Sequence, residues 1–278
     1  MKIAIAGGTG FLGKPLGERL TARGHDVVNL PRGRADVDGM DAVINLAGES
    51  IAGKRWTTTQ KRRILESRVL TTRNLVDAIA RAAAPPSVFI SGSAVGYYGP
   101  RDDEIATEYA PAGSDFLASV CVAWEAEADR ATAHTRVVRV RTGLVLATDG
   151  GALPQILMPF WLGAGGRVGS GRQYWSWIHR TDWIDLVCWA LRTPAVSGAL
   201  NATAPTPVTN KEFARALGRA FHRPSFLPTP GFALRLLLGE MADGLLLSGQ
   251  RVVPAKAEAL GFSFTYTHVD EALAAILK

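Results

Sequence analysis

The first apolar run of the chain, Ile3-Ala-Ile-Ala6, ends in a cluster of glycines, and an amphipathic stretch follows from Leu16 to Arg23. That order predicts a strand over 2–6, a turn and a helix. A second strand is expected over 25–30, after Gly24, and a buried strand over 41–46. A helical pattern from Asn74 to Ala84 stops at Pro85-Pro86, and Val88-Phe-Ile-Ser91 reads as the next strand. Trp124 to Ala133 is helical. Thr135 to Arg141 alternates like a strand, which Gly143-Leu-Val-Leu146 extends. Strands alternating with helices predict an α/β domain whose parallel sheet is covered on both faces. Only residues 31–40 separate the second strand from Asp41, so any strand between them is a stub around Arg34–Val37.

After Ala147 the texture changes. Residues 149–172 are rich in glycine and aromatics, and prolines punctuate the chain from Pro205 to Pro230. Helices are expected over 210–221, with Thr209 as the cap, over the Leu-rich 232–247, and over 269–277. The division that follows is one domain over 1–147, to which 177–204 returns, and a smaller lobe from 148–176 and 205–278. Such a lobe would lie over the carboxyl edge of the sheet, where open α/β folds bind ligands.

Composition narrows the function classes. The 278 residues carry 31 Lys and Arg against 25 Asp and Glu, a net charge of +6. That balance suits an anionic ligand. Its scatter, with no basic run beyond Lys61-Arg62-Arg63 and no interleaved aromatics, argues against nucleic acid. Cys121 and Cys188 are isolated and flanked by apolar residues, which reads as buried thiols in a reducing, cytoplasmic setting. Glycines interrupt the N-terminal apolar stretch too early for a signal peptide. Arg235, Glu240 and Asp243 interrupt the apolar region 231–249, so no membrane span is expected. The five His and two Cys never cluster, and no metal is expected.

The segment Gly7-Gly-Thr-Gly-Phe-Leu-Gly13 joins the first strand to the first helix. Gly7 permits a tight turn, Gly10 lets backbone approach a pyrophosphate, and Gly13 lets the helix pack on the strand. Exposed N–H groups at the helix start favour the anion. The segment therefore predicts a Rossmann-type, doubly wound sheet binding a nicotinamide dinucleotide. A cofactor with a free ribose 2′-hydroxyl usually meets an acid at the end of the second strand. Here stand Asn29-Leu-Pro-Arg32, with Arg34 behind. A guanidinium at Arg32 fits a 2′-phosphate, hence NADP rather than NAD.

With Asn45-Leu-Ala-Gly48 after one strand and Ser91-Gly-Ser-Ala-Val-Gly-Tyr-Tyr-Gly99 after another, the chain resembles the extended short-chain dehydrogenases/reductases. More narrowly, it resembles their atypical, nucleoside-diphosphate-sugar epimerase-like subgroup. Shared segments include Gly48-Glu-Ser-Ile-Ala-Gly-Lys-Arg-Trp56, Trp124-Glu125, Arg141-Thr-Gly-Leu-Val-Leu146, Ser176-Trp-Ile-His-Arg-Thr-Asp182 and Gly249-Gln-Arg-Val-Val-Pro254. The resemblance implies cofactor contacts from Gly7, Thr9, Gly10, Phe11, Leu12, Gly13 and Arg32. It also implies contacts from Leu46, Ala47 and Gly48 beside the adenosine ribose, and from Ser91. Arg68 falls where relatives place an Asn near the nicotinamide half, or is an exposed helix residue. Glu49 either accepts a ribose hydroxyl or caps its loop.

The departure concerns catalysis. Ordinary members use a Ser or Thr with a Tyr and a Lys four residues later, the Tyr moving the proton that accompanies hydride transfer. Ser93 keeps the first role. Alignment through Trp124-Glu125 puts Leu117 and Cys121 at the other two positions, and no Tyr-x-x-x-Lys occurs anywhere in the chain. Tyr97 and Tyr98 are the phenols nearest Ser93, against the alternative that they only pack or stack. His179 reads as a packing residue. Tyr174, Trp175 and Trp177 line the pocket or fill the core between lobes, and Asp182 is read as a helix cap. Two functions stay open. One is an NADP-dependent oxidoreductase or epimerase-like enzyme acting on a carbonyl compound or nucleotide-sugar. The other is a non-catalytic NADP-binding sensor or docking protein.

Overall fold

In the computed structural model, which describes residues 1–33 and 35–278, six parallel strands form the central sheet. Arg34, named above beside the 2′-phosphate, lies outside the described residues. Strand β1 (Lys2–Ala6) pairs with β2 (Asp26–Leu30) on one side and β3 (Ala42–Asn45) on the other. Beyond β3 come β4 (Val88–Ala94), the strand Arg136–Thr142 and the edge strand Gly198–Ala202. The sheet is of the doubly wound Rossmann type. Strand order reverses at β1, and the carboxyl ends of β1 and β3 flank a crevice there.

Side-chain alternation explains why β1 reads as a continuous apolar run. Ile3 and Ile5 pack on one face with Leu16 and Leu20 of helix α1 (Gly13–Ala22), while Ala4 and Ala6 join Leu75, Val76 and Ile79 on the other. Both faces are dry, so no polar position is tolerated. The described residues between β2 and β3 contain no strand; Arg34, where any stub would begin, lies outside them. Val37 is buried as a plug under the second face.

Helix α2 (Thr58–Arg81) starts sixteen residues before the expected Asn74. Its inward stripe includes Gln60, Arg68 and Thr72 beside Ile64, Leu75, Val76 and Ile79, and these polar residues hide the apolar period. Thr57 caps it by accepting the N–H of Gln60. Helix α3 (Phe116–Asp129) likewise begins before Trp124, with the Asp115 carboxylate accepting the N–H of Ala118. Leu144–Leu146 does not extend the preceding strand. The chain turns away at Gly143, where a Cβ would sit 2.3 Å from the Ser176 carbonyl, and the three residues pair with Trp177–His179 instead.

Helix α4 (Leu153–Trp161), helix α6 (Asn210–Ala220) and the helix Val269–Ile276 enclose a second core around Leu157, Phe160, Phe213, Leu217 and Leu273. Trp175 and Trp177 are buried in it, so these aromatics fill core rather than pocket. The Leu-rich stretch is not one helix. Helix α7 (Gly231–Leu238) ends at Gly239, φ +65°, and a short helix and a π-turn carry the chain to Leu247. His179, not Asp182, caps helix α5 (Arg180–Arg192), its Nδ1 accepting the N–H of Thr181. Burial holds the His179 pKa below its ordinary value, which keeps the ring neutral and able to accept. The buried Asp182 carboxylate accepts the N–H groups of Thr265 and Tyr266 and so pins the last loop to α5.

Candidate functional site

The glycine loop follows β1 at the reversal point and packs closely on the backbone that follows β3. Gly7 has φ +82°, and a Cβ on it would lie 2.8 Å from the backbone of Leu46 and Ala47. A Cβ on Gly13 would lie 2.1 Å from the Gly7 carbonyl. The N–H of Gly10 closes the turn onto that carbonyl at 3.0 Å, and α1 begins with no side-chain cap and no acid in its first turn. Among the described residues no protein acceptor takes the N–H groups of Phe11, Leu12 and Gly13. They form a short row of donors at the positive end of a helix, a site that suits a phosphate. Thr9 and Gly10 are exposed beside it, and the half-buried Phe11 ring packs under Gly150 and Gly151. Arg32 lies exposed, two residues past β2.

Opposite the glycine loop, residues 46–49 are held by polar groups of α2. Asn45 donates to Thr72 through its side-chain nitrogen and accepts the N–H of Ala47. The Glu49 N–H donates to Ser67, and the Gln60 amide donates to the Glu49 carboxylate at 3.4 Å. Arg68 donates to the carbonyls of Glu49 and Ile64, at 3.0 Å each, and its guanidinium lies 5.2 Å from the Trp124 ring centroid, against Gly48. Burial lowers its pKa from the ordinary value. Arg68 is therefore a half-buried brace of this loop rather than an exposed helix residue. The loop's shape, and with it the reach of Leu46, Ala47 and Gly48, depends on α2 residues that the apolar pattern concealed.

The third part of the site surrounds the end of β4. Ser91 is fully buried within the strand. The Ser93 hydroxyl donates to Glu125 Oε1 at 2.7 Å. Glu125 also receives Nε and Nη2 of Arg141, both at 2.8 Å, and Nη1 of Arg139 at 3.2 Å. Ser93, Glu125 and Arg141 are each buried to within 4% of full exclusion. Arg141 further donates to the Tyr98 hydroxyl, which donates to Asn201 Oδ1 at 2.6 Å. Burial pushes the Tyr98 phenol up to about 12. With its hydroxyl committed on both sides and its ring enclosed, Tyr98 serves as a structural strut and is a poor proton donor to any ligand. Tyr97 stacks on the Arg141 guanidinium at 3.4 Å and is half-buried, and its hydroxyl makes no hydrogen bond among the described residues.

Leu117 and Cys121 face the turn Val95–Tyr98, where a Cβ on Gly96 would meet Leu117 at 3.2 Å and the Cys121 sulfur at 4.0 Å. Leu117 packs with Trp56, Met241 and Leu245. Burial pushes the Cys121 thiol up to about 11, so it stays protonated and inert. Lys61 pairs with Glu240, which spends the cation of the 61–63 cluster nearest this wall.

Glu125, Arg141 and Asn201 carry the network and were not singled out as site residues by sequence. A signal existed: Arg139 and Arg141 sit among Val137, Val138 and Val140, and a charge in a strand buried on both faces needs a partner.

The profile of the NAD dependent epimerase/dehydratase family matches residues 3–202, and that of a domain of unknown function (DUF1731) matches residues 229–276. The human protein called epimerase family protein SDR39U1 is 38% identical over 292 residues, covering all of both chains. The Bacillus subtilis epimerase family protein YfhF is 39% identical over 300 residues, covering 100% of this chain and 98% of that one. A crystal structure of human SDR39U1 (isoform 2) with NADPH superposes with a TM-score of 0.95 at 36% identity, over 100% of this chain and 99% of that chain. A Corynebacterium glutamicum nucleoside-diphosphate sugar epimerase superposes at 0.80 and 33% identity, over 100% of this chain and 58% of that chain.

Proposed function

Since the chain belongs to the NAD dependent epimerase/dehydratase family and carries its DUF1731-type C-terminal region, we propose that it binds NADPH across the switch point and uses it on a small carbonyl compound or nucleotide-sugar. The observation that carries the cofactor reading is the row of uncommitted N–H donors at Phe11, Leu12 and Gly13. The NADPH-bound human structure, similar over the full chain, supports it. In this reading Gly7 to Gly13 hold the pyrophosphate, Arg32 pairs with the 2′-phosphate, and Leu46 to Gly48 flank the adenosine ribose. Glu49 and Arg68 fix that loop. NADPH supplies a hydride when bound. Residues 148–176 and 205–278 form the substrate lobe.

Isothermal titration is the direct test. NADPH should bind more tightly than NADH, and Arg32→Ala should weaken NADPH by roughly tenfold or more, the worth of one charge-assisted hydrogen bond, while leaving NADH unchanged. Equal loss for both nucleotides would remove Arg32 from the 2′-phosphate.

For the proton, Ser93 and Tyr97 are the hydroxyls left near the end of β4. Ser93→Ala is expected to cost roughly 1–2 kcal/mol in urea unfolding, because Glu125 loses a buried donor. If Ser93 also handles the proton, NADPH consumption with a turning-over substrate should fall by about two orders of magnitude. Unchanged turnover in the folded variant would leave Ser93 with its structural role alone. A second reading rests on Leu117 and Cys121, which offer no proton chemistry where the family's Tyr and Lys stand: the protein senses NADPH without consuming it. Tight NADPH binding, with no oxidation across carbonyl and sugar-nucleotide substrates, would favour that reading.

A further inference from the structure

Among the described residues, every Leu, Ile, Val, Met, Phe and Trp exposed beyond 60% falls in one of two short segments, 158–162 and 226–237. Trp161, Leu162, Phe226, Phe232, Leu236 and Leu237 are 65–80% exposed. Single exposed apolar side chains are ordinary, but this concentration in one lobe is not. The chain just after the first segment runs beside the second. The Leu227 N–H donates to Gly165, and residues 167–169 bond to Thr229 from both sides. The Trp161 ring meets Phe221 edge-on at the end of α6. Helix α7 starts two residues after Thr229 and, although mostly apolar, buries none of its residues fully.

Along the chain these segments lie in stretches that carry cations and no acid. No Asp or Glu occurs between Asp149 and Asp182, nor between Glu212 and Glu240. Arg167, Lys211, Arg215 and Phe226 line one groove of about 410 Å³. A second groove, of about 500 Å³, carries Arg215 and Arg223. Arg180, Arg219 and Arg235 are paired with Asp149, Asp270 and Asp243. Lys211, Arg215 and Arg223 have no carboxylate partner among the described residues.

We propose that this face of the C-terminal lobe docks on an anionic lipid surface, with the Trp, Phe and Leu side chains entering the interface and Lys211, Arg215 and Arg223 meeting headgroup phosphates. Apolar and aromatic side chains rimmed by uncompensated cations are the combination that binds such surfaces. A second copy fits less well. A two-fold dimer through this face would bring the unpaired Lys211, Arg215 and Arg223 of both copies into one interface. Docking is peripheral, since no helix of the described residues is long and apolar enough to cross a membrane.

The test is co-sedimentation of the full chain with phosphatidylcholine vesicles, with and without phosphatidylglycerol. Binding is expected only to the anionic vesicles and should weaken as salt rises. F226S/F232S and K211E/R215E should each lower partitioning by about tenfold or more, with NADPH titration unchanged as the check on folding. Failure to sediment with either vesicle would overturn the proposal. So would equal binding to neutral vesicles that K211E/R215E leaves unaltered. A doubled mass by light scattering, abolished by F226S/F232S, would assign the face to a second copy instead.

Discussion

Gly10→Val should leave a folded protein that binds NADPH about 100-fold more weakly or worse. A Cβ at Gly10 would meet only the Gly7 carbonyl, at 3.3 Å, a contact that a shift of a few tenths of an ångström relieves. The branched methyls would then occupy the space over the free N–H groups of Phe11 and Leu12. Losing two charge-assisted hydrogen bonds of roughly 1.5 kcal/mol each gives about two orders of magnitude in affinity. Gly13→Ala is the instructive contrast. Its new methyl would overlap the Gly7 carbonyl, so the melting temperature should fall along with binding. Calorimetry and thermal unfolding on both variants separate the effects. A folded Gly10→Val with undiminished NADPH affinity would refute the placement of the pyrophosphate.

Arg141→Met is the substitution expected to cost most stability, about 3–5 kcal/mol. It strips two hydrogen bonds from a Glu125 carboxylate that is 3% exposed, and one from the Tyr98 hydroxyl. Ser93 and Arg139 remain, too few to replace the solvation that Glu125 gave up on folding. Urea unfolding measures the loss. The double variant E125L/R141M should recover about half of it or more, because an apolar pair leaves no charge stranded. A cost below about 1 kcal/mol for the single variant would mean that water or a shifted side chain takes over, and that the network does not hold the end of β4.

The two predictions differ in how far each could be read from the chain. Gly7, Gly10 and Gly13 announce themselves, since their spacing between a strand and a helix has few uses other than bringing backbone N–H groups to a phosphate. Arg32 stands out for a local reason too, two residues past the strand next to β1. The Glu125–Arg141 pair has no such local signature. The residues are sixteen apart, on a helix and a strand, and only the parallel pairing of β4 with Arg136–Thr142 brings Ser93 beside Arg141. Tyr98 shows the same limit. Its neighbours in sequence make it a plausible proton donor, and its partner Asn201, 103 positions away, makes it a strut.

By itself, then, the sequence determined what depends on short-range order. It set the alternation of strands and helices, the glycine loop, the capped helix after Thr209, and the absence of a Tyr-x-x-x-Lys pair. Backbone conformation and burial period act over a few residues and leave their pattern in the chain. Tertiary structure decided where polar groups find partners. It turned Gln60, Ser67, Arg68 and Thr72 inward to brace the 46–49 loop, and it detached Leu144–Leu146 from the strand before it. It also left Trp, Phe and Leu residues of 158–162 and 226–237 exposed, with Phe226 beside Lys211 and Arg215. The first of these outcomes follows from the cost of burying an unpaired polar group, met by residues that only the folded chain brings within hydrogen-bond distance.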